Sequence, residues 1–318
     1  MQLWLEGKIS GEMHLAIGEE AIAAGIVSQI EEGDALALDH RGTPQILMRG
    51  VNPLLVLKEL LGHTDGLCNG KGGHMHLFSP PHLVASTGIV GASVPAALGF
   101  AISAQYLRPR KIAVAFFGEG AVNQGMVMES FNLAVSWNLP VVFVCKDNQW
   151  AITTPSDSVT AGNLTERAKG FSMDALSLDG SDIMAVYHAA ESAIAKARKG
   201  GGPTFLHMTC VRPEGHFVGD PLIRISRAPL KEMKKIAGPL LKSVTKFKGS
   251  SLFERSTSLG TVTSTLGKTI KDQIGNPKDP IQKLRKELIS DRNLLNTIES
   301  EIGMEIKNIV QRALQLAA

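Results

Sequence analysis

The stretch from residue 116 to 155, FFGEGAVNQGMVMESFNLAVSWNLPVVFVCKDNQWAITTP, contains two polar clusters that each follow an apolar run. The cluster Gly118–Gly120 comes directly after IAVAFF, and the cluster Asp147–Gln149 comes directly after VVFVCK. Both runs are apolar throughout, as expected of strands that are covered on both faces in a parallel sheet. Between them, apolar residues recur at helical spacing from Met126 to Trp137. The stretch therefore predicts a strand–helix–strand unit.

Further apolar runs of strand length predict that a sheet extends on both sides of this unit. The predicted strands are Ala35–Leu38, Ile112–Phe117, Val141–Cys145, Ala175–Leu178 and Thr204–Cys210. After Asp182, the segment MAVYHAAESAIAKARKG predicts a helix that ends on basic residues and glycines. This alternation indicates an α/β fold, with a mostly parallel sheet, helices on both faces and right-handed crossovers.

The chain divides into three parts of different composition. Residues 1–227 carry the strand–helix alternation and form the predicted α/β domain. Residues 228–277 are rich in Ser, Thr, Gly and Lys with weak periodicity, which indicates a solvated, partly disordered insertion. Between Lys231 and Lys271 there are nine Lys or Arg and two Glu, so the chain's net charge of +3 comes from this segment and not from the fold. Helical patterns return in residues 278–318 and predict a helical C-terminal region.

The overall composition is that of a globular protein with a substantial core, since 44% of its 318 residues are hydrophobic and 20% are charged. Three scattered cysteines predict no disulfide framework and favour the reducing cytoplasm. The opening residues MQLWLEGKISGE lack the apolar core of a secretory signal. Leu83–Leu107 is uncharged over 25 residues, but its glycines and its proline favour a buried helix over a membrane span. We expect neither a membrane nor a nucleic acid as partner.

The two polar clusters are placed where an open parallel sheet binds ligands, at the carboxyl ends of its strands. With 27 residues between Gly120 and Asn148 for the crossover, the two strands can be neighbours, and Glu119 and Asn148 can line one crevice. A carboxylate oxygen, an amide oxygen and a backbone carbonyl from Gln149 or Trp150 suit Mg²⁺. The glycines beside Glu119 let the backbone approach a diphosphate closely.

Each cluster also has an explanation that involves no ligand. GEG forms a tight turn readily, and DN caps helices. The pairing of the two clusters at crossover spacing, each after a fully apolar strand, favours the ligand site. A zinc site built from the scattered histidines and cysteines is disfavoured, because none of them has the C-x₂-C or H-x₃-H spacing that zinc sites use.

The pairing resembles the thiamine diphosphate fingerprint, in which Gly-Asp/Glu-Gly precedes an Asn pair by somewhat under thirty residues. Other stretches resemble the α subunit of the dehydrogenase component of 2-oxo acid dehydrogenase complexes, a family that includes the pyruvate, branched-chain and acetoin enzymes. The matching stretches, in the family's order, are HLAIGEEAIAAG (14–25), DHRG (39–42), GKGGHMHLF (70–78), STGIVGASVPAALG (86–99), LDGSD (178–182), GHFVGDP (215–221) and KDPIQKLRKELI (278–289). The resemblance implies the thiamine diphosphate-binding fold.

The resemblance also implies a metal site and a catalytic residue. Glu119, Asn148 and the backbone carbonyl of Trp150 would hold Mg²⁺. His216 would face the thiazolium ring of thiamine diphosphate and assist proton transfer.

The remaining implied residues would bind the cofactor. They are His40, Arg41, Gly88, Val90, Gly118, Gly120, Ala121, Arg212 and His216. Arg41 and Arg212 would pair with the diphosphate, since a guanidinium suits bidentate phosphate contact. Taken outside these motifs, an Arg after a strand or a His in a loop is more often a surface residue, so the roles depend on the motif context.

The sequence departs from the family pattern at three positions and in one segment. Thr43 stands where the family often has a His, although the branched-chain members also lack it. Asp147 replaces the first Asn of the fingerprint, and Trp150 replaces the usual Tyr. Residues 228–277 have no counterpart in the family pattern.

The implied function is the oxidative decarboxylation of a 2-oxo acid, with transfer of the acyl group to a lipoyl carrier. Pyruvate is the first expectation by family frequency; acetoin or a branched-chain 2-oxo acid, or a non-catalytic diphosphate-binding scaffold, are the alternatives. In the family the carboxylate that activates the aminopyrimidine belongs to a separate β subunit. We therefore expect two α and two β chains, a lipoyl-bearing acyltransferase as a further partner, and a chain that begins inside the family's first helix.

Overall fold

The computed structural model describes residues 1–220, 223–224, 257, 260, 264, 267 and 279–316. Its strands are β1 (Ala35–Leu38), β2 (Phe78–Ser79), β3 (Val84–Ser86), β4 (Ala113–Gly118), β5 (Val141–Asp147), β6 (Trp150–Ala151), β7 (Thr154–Pro155), β8 (Asp174–Asp179) and β9 (Thr204–Thr209). Its helices are α1 (Gln2–Leu5), α2 (Glu20–Val27), α3 (Thr43–Met48), α4 (Pro53–Leu60), α5 (Ser93–Leu107), α6 (Gly125–Ser136), α7 (Leu164–Lys169), α8 (Ile183–Arg198), α9 (Pro280–Glu287) and α10 (Arg292–Leu316). The predicted insertion, 228–277, lies outside the described residues except for four isolated positions.

Seven strands form one sheet in the order β2-β3-β1-β4-β5-β9-β8. All neighbours in it pair in parallel except β2 and β3, which are antiparallel. Strands β6 and β7 form a separate antiparallel hairpin. The predicted mostly parallel sheet is confirmed, and β4 and β5, which carry the two polar clusters at their ends, are direct neighbours.

Helices cover both faces of the sheet, which explains why β4 and β5 are apolar at every position. On one face, Val114 and Phe116 belong to a core cluster that includes residues of α2 and α8. On the other, Phe117 and Phe143 belong to a second cluster with residues of α5 and α6. Because successive side chains of a strand point to opposite faces, both sets of residues must be apolar.

The predicted strands are confirmed, with ends that differ by at most two residues. The interpretation of Leu83–Leu107 as one helix is wrong for its first ten residues, because 84–86 form β3, a loop follows and α5 begins at Ser93. Gly91 has a φ of +84°, a left-handed conformation that a helix cannot include. Among the helices of the described residues, none combines the length and the apolar character that crossing a bilayer requires.

The predicted C-terminal helical region is confirmed by α9 and α10. Asp279 caps α9, since its carboxylate accepts hydrogen bonds from the backbone N–H groups of Ile281 and Gln282. Lys283 of α9 forms an ion pair of 2.9 Å with Asp182, the residue that caps α8. The α9 helix is thereby attached to the α/β domain.

Replacement of Phe131 by Ala should destabilise the fold strongly. Its fully buried ring lies 4.9 Å from that of Phe143 and 5.5 Å from that of Phe205, centroid to centroid. We expect a loss of about 3–5 kcal/mol in the free energy of unfolding, measured by urea titration of the full-length chain. Leu107→Ala, at a side chain that is 75% exposed, is the control and should change it by less than about 0.5 kcal/mol. Equal effects of the two substitutions would contradict the assignment of this core.

Candidate functional site

A cavity of about 270 Å³ lies at the carboxyl ends of the central strands. Its walls come from the segments that follow β1, β3, β4, β5 and β9. Every residue predicted for the site lines it except Gly88: His40, Arg41, Val90, Gly118, Glu119, Gly120, Ala121, Asn148, Trp150, Arg212 and His216. Gly88 does not line the cavity but stands between Thr87 and Ile89, which do, and a Cβ added to it would lie 3.0 Å from Met75 Sδ.

Glu119 stands at the end of β4, where a short 3₁₀ turn, Glu119–Asn123, begins. The residue is 2% exposed, and its Oε1 accepts a hydrogen bond of 2.7 Å from Ser156 Oγ. Burial, together with the charge of Asp147, raises the pKa of Glu119 to about 7. Among the described residues no basic side chain forms an ion pair with it. A cation bound here would therefore stabilise the ionised carboxylate.

Asn148 follows β5 in a tight turn, and Trp150 begins β6 of the β6–β7 hairpin. Gln149 between them has a φ of +66°, and the backbone N–H of Trp150 donates to Asn148 Oδ1 at 3.2 Å. The carbonyl of Trp150 accepts from Arg212 Nη1 at 3.4 Å. The turn thus presents an amide side chain and a backbone carbonyl at the wall of the cavity that Glu119 also lines.

Asp147, the departure from the fingerprint, has a structural role outside the cavity. Its Oδ2 lies 2.7 Å from His207 Nε2, and its Oδ1 accepts from the backbone N–H of Gln149 at 2.8 Å. It lines a neighbouring pocket and not the cavity itself. The side chain therefore holds the turn that presents Asn148.

The two glycines of GEG meet different constraints. A Cβ on Gly120 would lie 2.9 Å from Ala151 Cβ, so the hairpin approaches too closely for a side chain. A Cβ on Gly118 would meet only Lys146 O, at 3.9 Å. Close packing therefore requires glycine at position 120 and leaves room at position 118.

Two buried arginines face the cavity from different segments. Arg41 Nη2 donates to the carbonyl of His216 at 2.7 Å, and Arg212 Nη2 donates to the carbonyl of Ile152 at 2.8 Å. Burial, followed by the charge of Arg41, lowers the pKa of Arg212 to about 10. An anion between them would relieve this repulsion.

Several polar atoms at the cavity wall are buried without a hydrogen-bond partner among the described residues. They are His40 Nε2, Trp150 Nε1 and Arg212 Nε. Because buried polar groups are normally paired, these atoms suit a polar ligand.

Sequence reasoning missed a buried ion cluster at the base of the cavity. Lys146 is 1% exposed, and its Nζ lies 2.6 Å from Glu19 Oε2 and 3.0 Å from Asp39 Oδ1. Burial alone would lower the pKa of Lys146, but the two carboxylates outweigh it and raise the pKa. Glu19 also faces Arg41, with 3.9 Å between Oε1 and Nε. The detectable signal was a charged residue at the end of an entirely apolar strand.

Sequence reasoning also missed two histidines beside His40 and His216. His14 and His74 lie in matched motifs, yet neither was selected as a site residue. Burial is the main cause that lowers the pKa of each ring, to about 2 for His14, about 3 for His40, and about 4 for His74 and His216. All four rings are neutral at pH 7.

The dehydrogenase E1 component family matches residues 1–276. The chain is 40% identical to the α subunit of acetoin:2,6-dichlorophenolindophenol oxidoreductase of Bacillus subtilis, over 69% of this chain and 66% of that protein. This match spans just under two thirds of the relative's length. The chain is also 39% identical to the pyruvate dehydrogenase E1 component subunit α of Zymomonas mobilis, over 75% of this chain and 68% of that protein.

A longer match is to the pyruvate dehydrogenase E1 component subunit α of Porphyra purpurea. It has 30% identity and covers 91% of this chain and 88% of that protein. One similar solved structure is that of a candidate thiamin diphosphate-dependent enzyme from Mycobacterium smegmatis. Its TM-score is 0.42 and its sequence identity is 15%, and the match covers 63% of this chain and 33% of the other. The structural likeness is too low to add to the family match.

The neutral histidines should make stability fall as the pH falls. An unfolded histidine takes up a proton near its ordinary value of 6.5, whereas these four stay neutral in the fold down to about 4 or below. The contribution of these rings to the free energy of unfolding is therefore fully present above pH 6.5 and is lost toward pH 4. The loss is up to about 1.4 kcal/mol per pH unit for each ring. Glu119, whose pKa is raised to about 7, and Glu20, whose pKa burial raises, have the opposite effect on stability, but the four rings outnumber them.

His14→Gln isolates the effect of one ring. Urea unfolding between pH 7 and pH 5 should give a shallower decline for this variant than for the natural chain, because the variant has one fewer suppressed proton. Parallel declines for the two proteins would show that His14 is not held neutral by the fold.

Proposed function

This chain belongs to the dehydrogenase E1 component family, and on that premise we propose that it is the α subunit of a thiamine diphosphate-dependent dehydrogenase. It would act in the oxidative decarboxylation of a 2-oxo acid, with pyruvate as the first candidate, and deliver the acyl group to a lipoyl carrier. The observation that carries the proposal is the cavity, which brings together eleven of the twelve residues that the family pattern implies.

The metal site would be formed by Glu119, Asn148 and the carbonyl of Trp150, with Mg²⁺ as the ion. The support is chemical: Glu119 is a buried carboxylate that forms no ion pair with a basic side chain of the described residues, and it lines the same cavity as Asn148 and Trp150. Hard oxygen ligands of this kind suit Mg²⁺. The Trp150 carbonyl accepts a bond from Arg212 at 3.4 Å, so Arg212 would share or yield that oxygen when the ion binds.

The diphosphate would bind between Arg41 and Arg212, near Gly120. Arg212 Nε, which has no hydrogen-bond partner among the described residues, and the mutual repulsion of the guanidiniums support an anion at this place. The turn at Gly120 and Ala121 would bring backbone close to it.

When bound, thiamine diphosphate supplies the nucleophilic carbon and the electron sink that loss of CO₂ requires. The chain's own residues would bind and orient it. His216, whose imidazole is neutral at pH 7, can exchange a proton with a reacting group at the cavity wall. Burial around Glu119 and Arg41 would exclude water from the charged end of the cavity.

A separate β subunit would complete the site, in an assembly of two α and two β chains. This assembly would work with a lipoyl-bearing acyltransferase, and we place both in the cytoplasm. The two relatives discussed at highest identity are both named as α subunits. Ile89 and Val90 line the cavity and yet are 63% and 55% exposed, which supports a partner surface at its mouth. Residues 1–227 would form the cofactor-binding domain.

Acetoin is the second candidate substrate, because the Bacillus subtilis relative is named for it and is as similar as the pyruvate relative. A branched-chain 2-oxo acid remains the third, and a scaffold without activity is the alternative outside enzymes. Turnover by the α/β complex with pyruvate, acetoin and branched-chain 2-oxo acids, measured with an artificial electron acceptor, separates them. We expect the highest kcat/KM with pyruvate; cofactor binding without turnover of any substrate would favour the scaffold.

Glu119→Ala should abolish the Mg²⁺-dependent binding of thiamine diphosphate to the complex with the β partner. We expect at least a ~100-fold loss of affinity by calorimetry, since even outer partners of metal ligands are worth about 10–100-fold. Glu129→Ala, on the exposed side of α6, is the matched control and should bind as the natural chain does. Undiminished affinity in Glu119→Ala, or binding that is indifferent to Mg²⁺, would refute the proposed metal site.

A further inference from the structure

Three histidines form a continuous chain of hydrogen bonds at one side of the cavity. His14 Nδ1 lies 2.8 Å from His74 Nε2, and His14 Nε2 lies 3.2 Å from His216 Nε2. His14 precedes α2, His74 lies in the loop before β2, and His216 lies in the loop after β9. Three distant parts of the sequence thus meet in one chain of rings, of which only His216 lines the cavity itself.

The backbone fixes the proton positions at the first end of this chain. The backbone N–H of His14 donates to His74 Nε2 at 3.2 Å, so His74 Nε2 is an acceptor and carries no proton. His14 Nδ1 approaches the same lone pair and must therefore carry the proton of its own ring. A neutral ring has one N–H, which leaves His14 Nε2 unprotonated. His216 Nε2, which faces that lone pair, must then donate.

The contacts of His216, at the other end of this chain of rings, independently give the same proton positions. His216 Nδ1 lies 3.5 Å from Arg41 Nη2 and 3.4 Å from Arg212 Nη1. A guanidinium has donors and no acceptor, so the nitrogen that faces two of them is unprotonated and the proton is on Nε2. The lowered pKa values of the three rings keep each of them neutral at pH 7, with one proton apiece.

We propose that His74 is a positioning residue that fixes the tautomer of His14 and, through His14, holds His216 with a protonated Nε2 and an unprotonated Nδ1. The tautomers follow from the geometry alone, and the consequence for catalysis rests on the proposed function. The Nδ1 lone pair of His216 is thereby kept on the side of the two guanidiniums that line the cavity. Without His74, His14 could rotate or exchange its tautomer, and His216 would lose its fixed partner.

A transition metal bound by His14, His40 and His216 is the competing explanation, since ring nitrogens of these three residues lie within 4.8 Å of one another. Such an ion needs a free lone pair from every ring. The assigned proton on Nε2 of His216 blocks one of them, and the two guanidiniums beside Nδ1 repel a cation. The geometry therefore favours the hydrogen-bonded chain.

The tautomers can be measured directly in the full-length chain labelled with ¹⁵N-histidine. At pH 7.5, we expect Nδ1–H on His14 and His74 and Nε2–H on His216, with signals assigned from their loss in His14→Gln and His74→Gln. Added Zn²⁺ alone should leave these signals in place. A proton on Nε2 of His14, or tight zinc binding that disappears in His14→Gln, would overturn the proposal.

The effect of His74 on catalysis is tested by measuring substrate turnover by the complex with the β partner. His74→Leu removes the acceptor and should lower kcat about 10- to 100-fold with little change in KM, because the reacting groups are mispositioned but the substrate contacts remain. His74→Gln places an oxygen acceptor at similar reach and should restore most of kcat. His188→Gln removes an exposed imidazole on α8 that lies 3.5 Å from Glu191, outside the chain of rings and the cavity, and should leave turnover unchanged.

The outcomes separate the two proposals. A natural complex that turns over no substrate refutes the proposed function, while the tautomer measurement still decides the arrangement of the rings. Full activity in His74→Leu, or equal impairment of the Leu and Gln variants, refutes the positioning role even if the enzyme is active. If His74→Leu does not fold, the spectra of the natural chain decide alone.

Discussion

Strands β4 and β5 pair in parallel with Gly118 opposite Lys146, and the cavity depends on this register. Because the strands run in the same direction, the residues that follow them, Glu119 and Asn148, leave the sheet at the same edge. The strands themselves are apolar on both faces, since helices cover each side. Polar groups are therefore concentrated beyond the strand ends, where the β6–β7 hairpin closes over them. A shift of one residue in the pairing would turn the side chains to the opposite faces and disperse the site.

Charged side chains at the base of the cavity neutralise one another, whereas two charged groups above them do not. Lys146 is neutralised at the base by Glu19 and Asp39, and Glu19 also faces Arg41. Removing one member of a buried ion pair costs about 3–5 kcal/mol, because the other charge is left without a partner. The compensation at the base allows Arg41 to stay charged above it. Within the described part of the chain, Glu119 and Arg212 form no such ion pair, and they are the groups that a metal ion and an anion would satisfy.

Imidazoles give the cavity a third kind of group, polar and uncharged at pH 7. Burial and the nearby guanidiniums keep His14, His40, His74 and His216 from taking up protons. Neutral rings can donate at one nitrogen and accept at the other, and their partners decide which nitrogen does which. Although position 43 is Thr, His40 and His216 line the cavity and can exchange protons, and His14 and His74 lie beside them.

The sequence by itself determined the class of fold, the main strands and most of the cavity residues, because apolar runs report burial on both faces and the motifs mark the strand ends. It did not determine where β3 ends and α5 begins within Leu83–Leu107, since composition alone cannot show that Gly91 adopts a positive φ. The contacts of Lys146 with Glu19 and Asp39, and those of His74 with His14, were decided only by the tertiary structure. These pairs are separated by 60 to 127 positions along the chain, and only the folded sheet brings them within hydrogen-bonding distance.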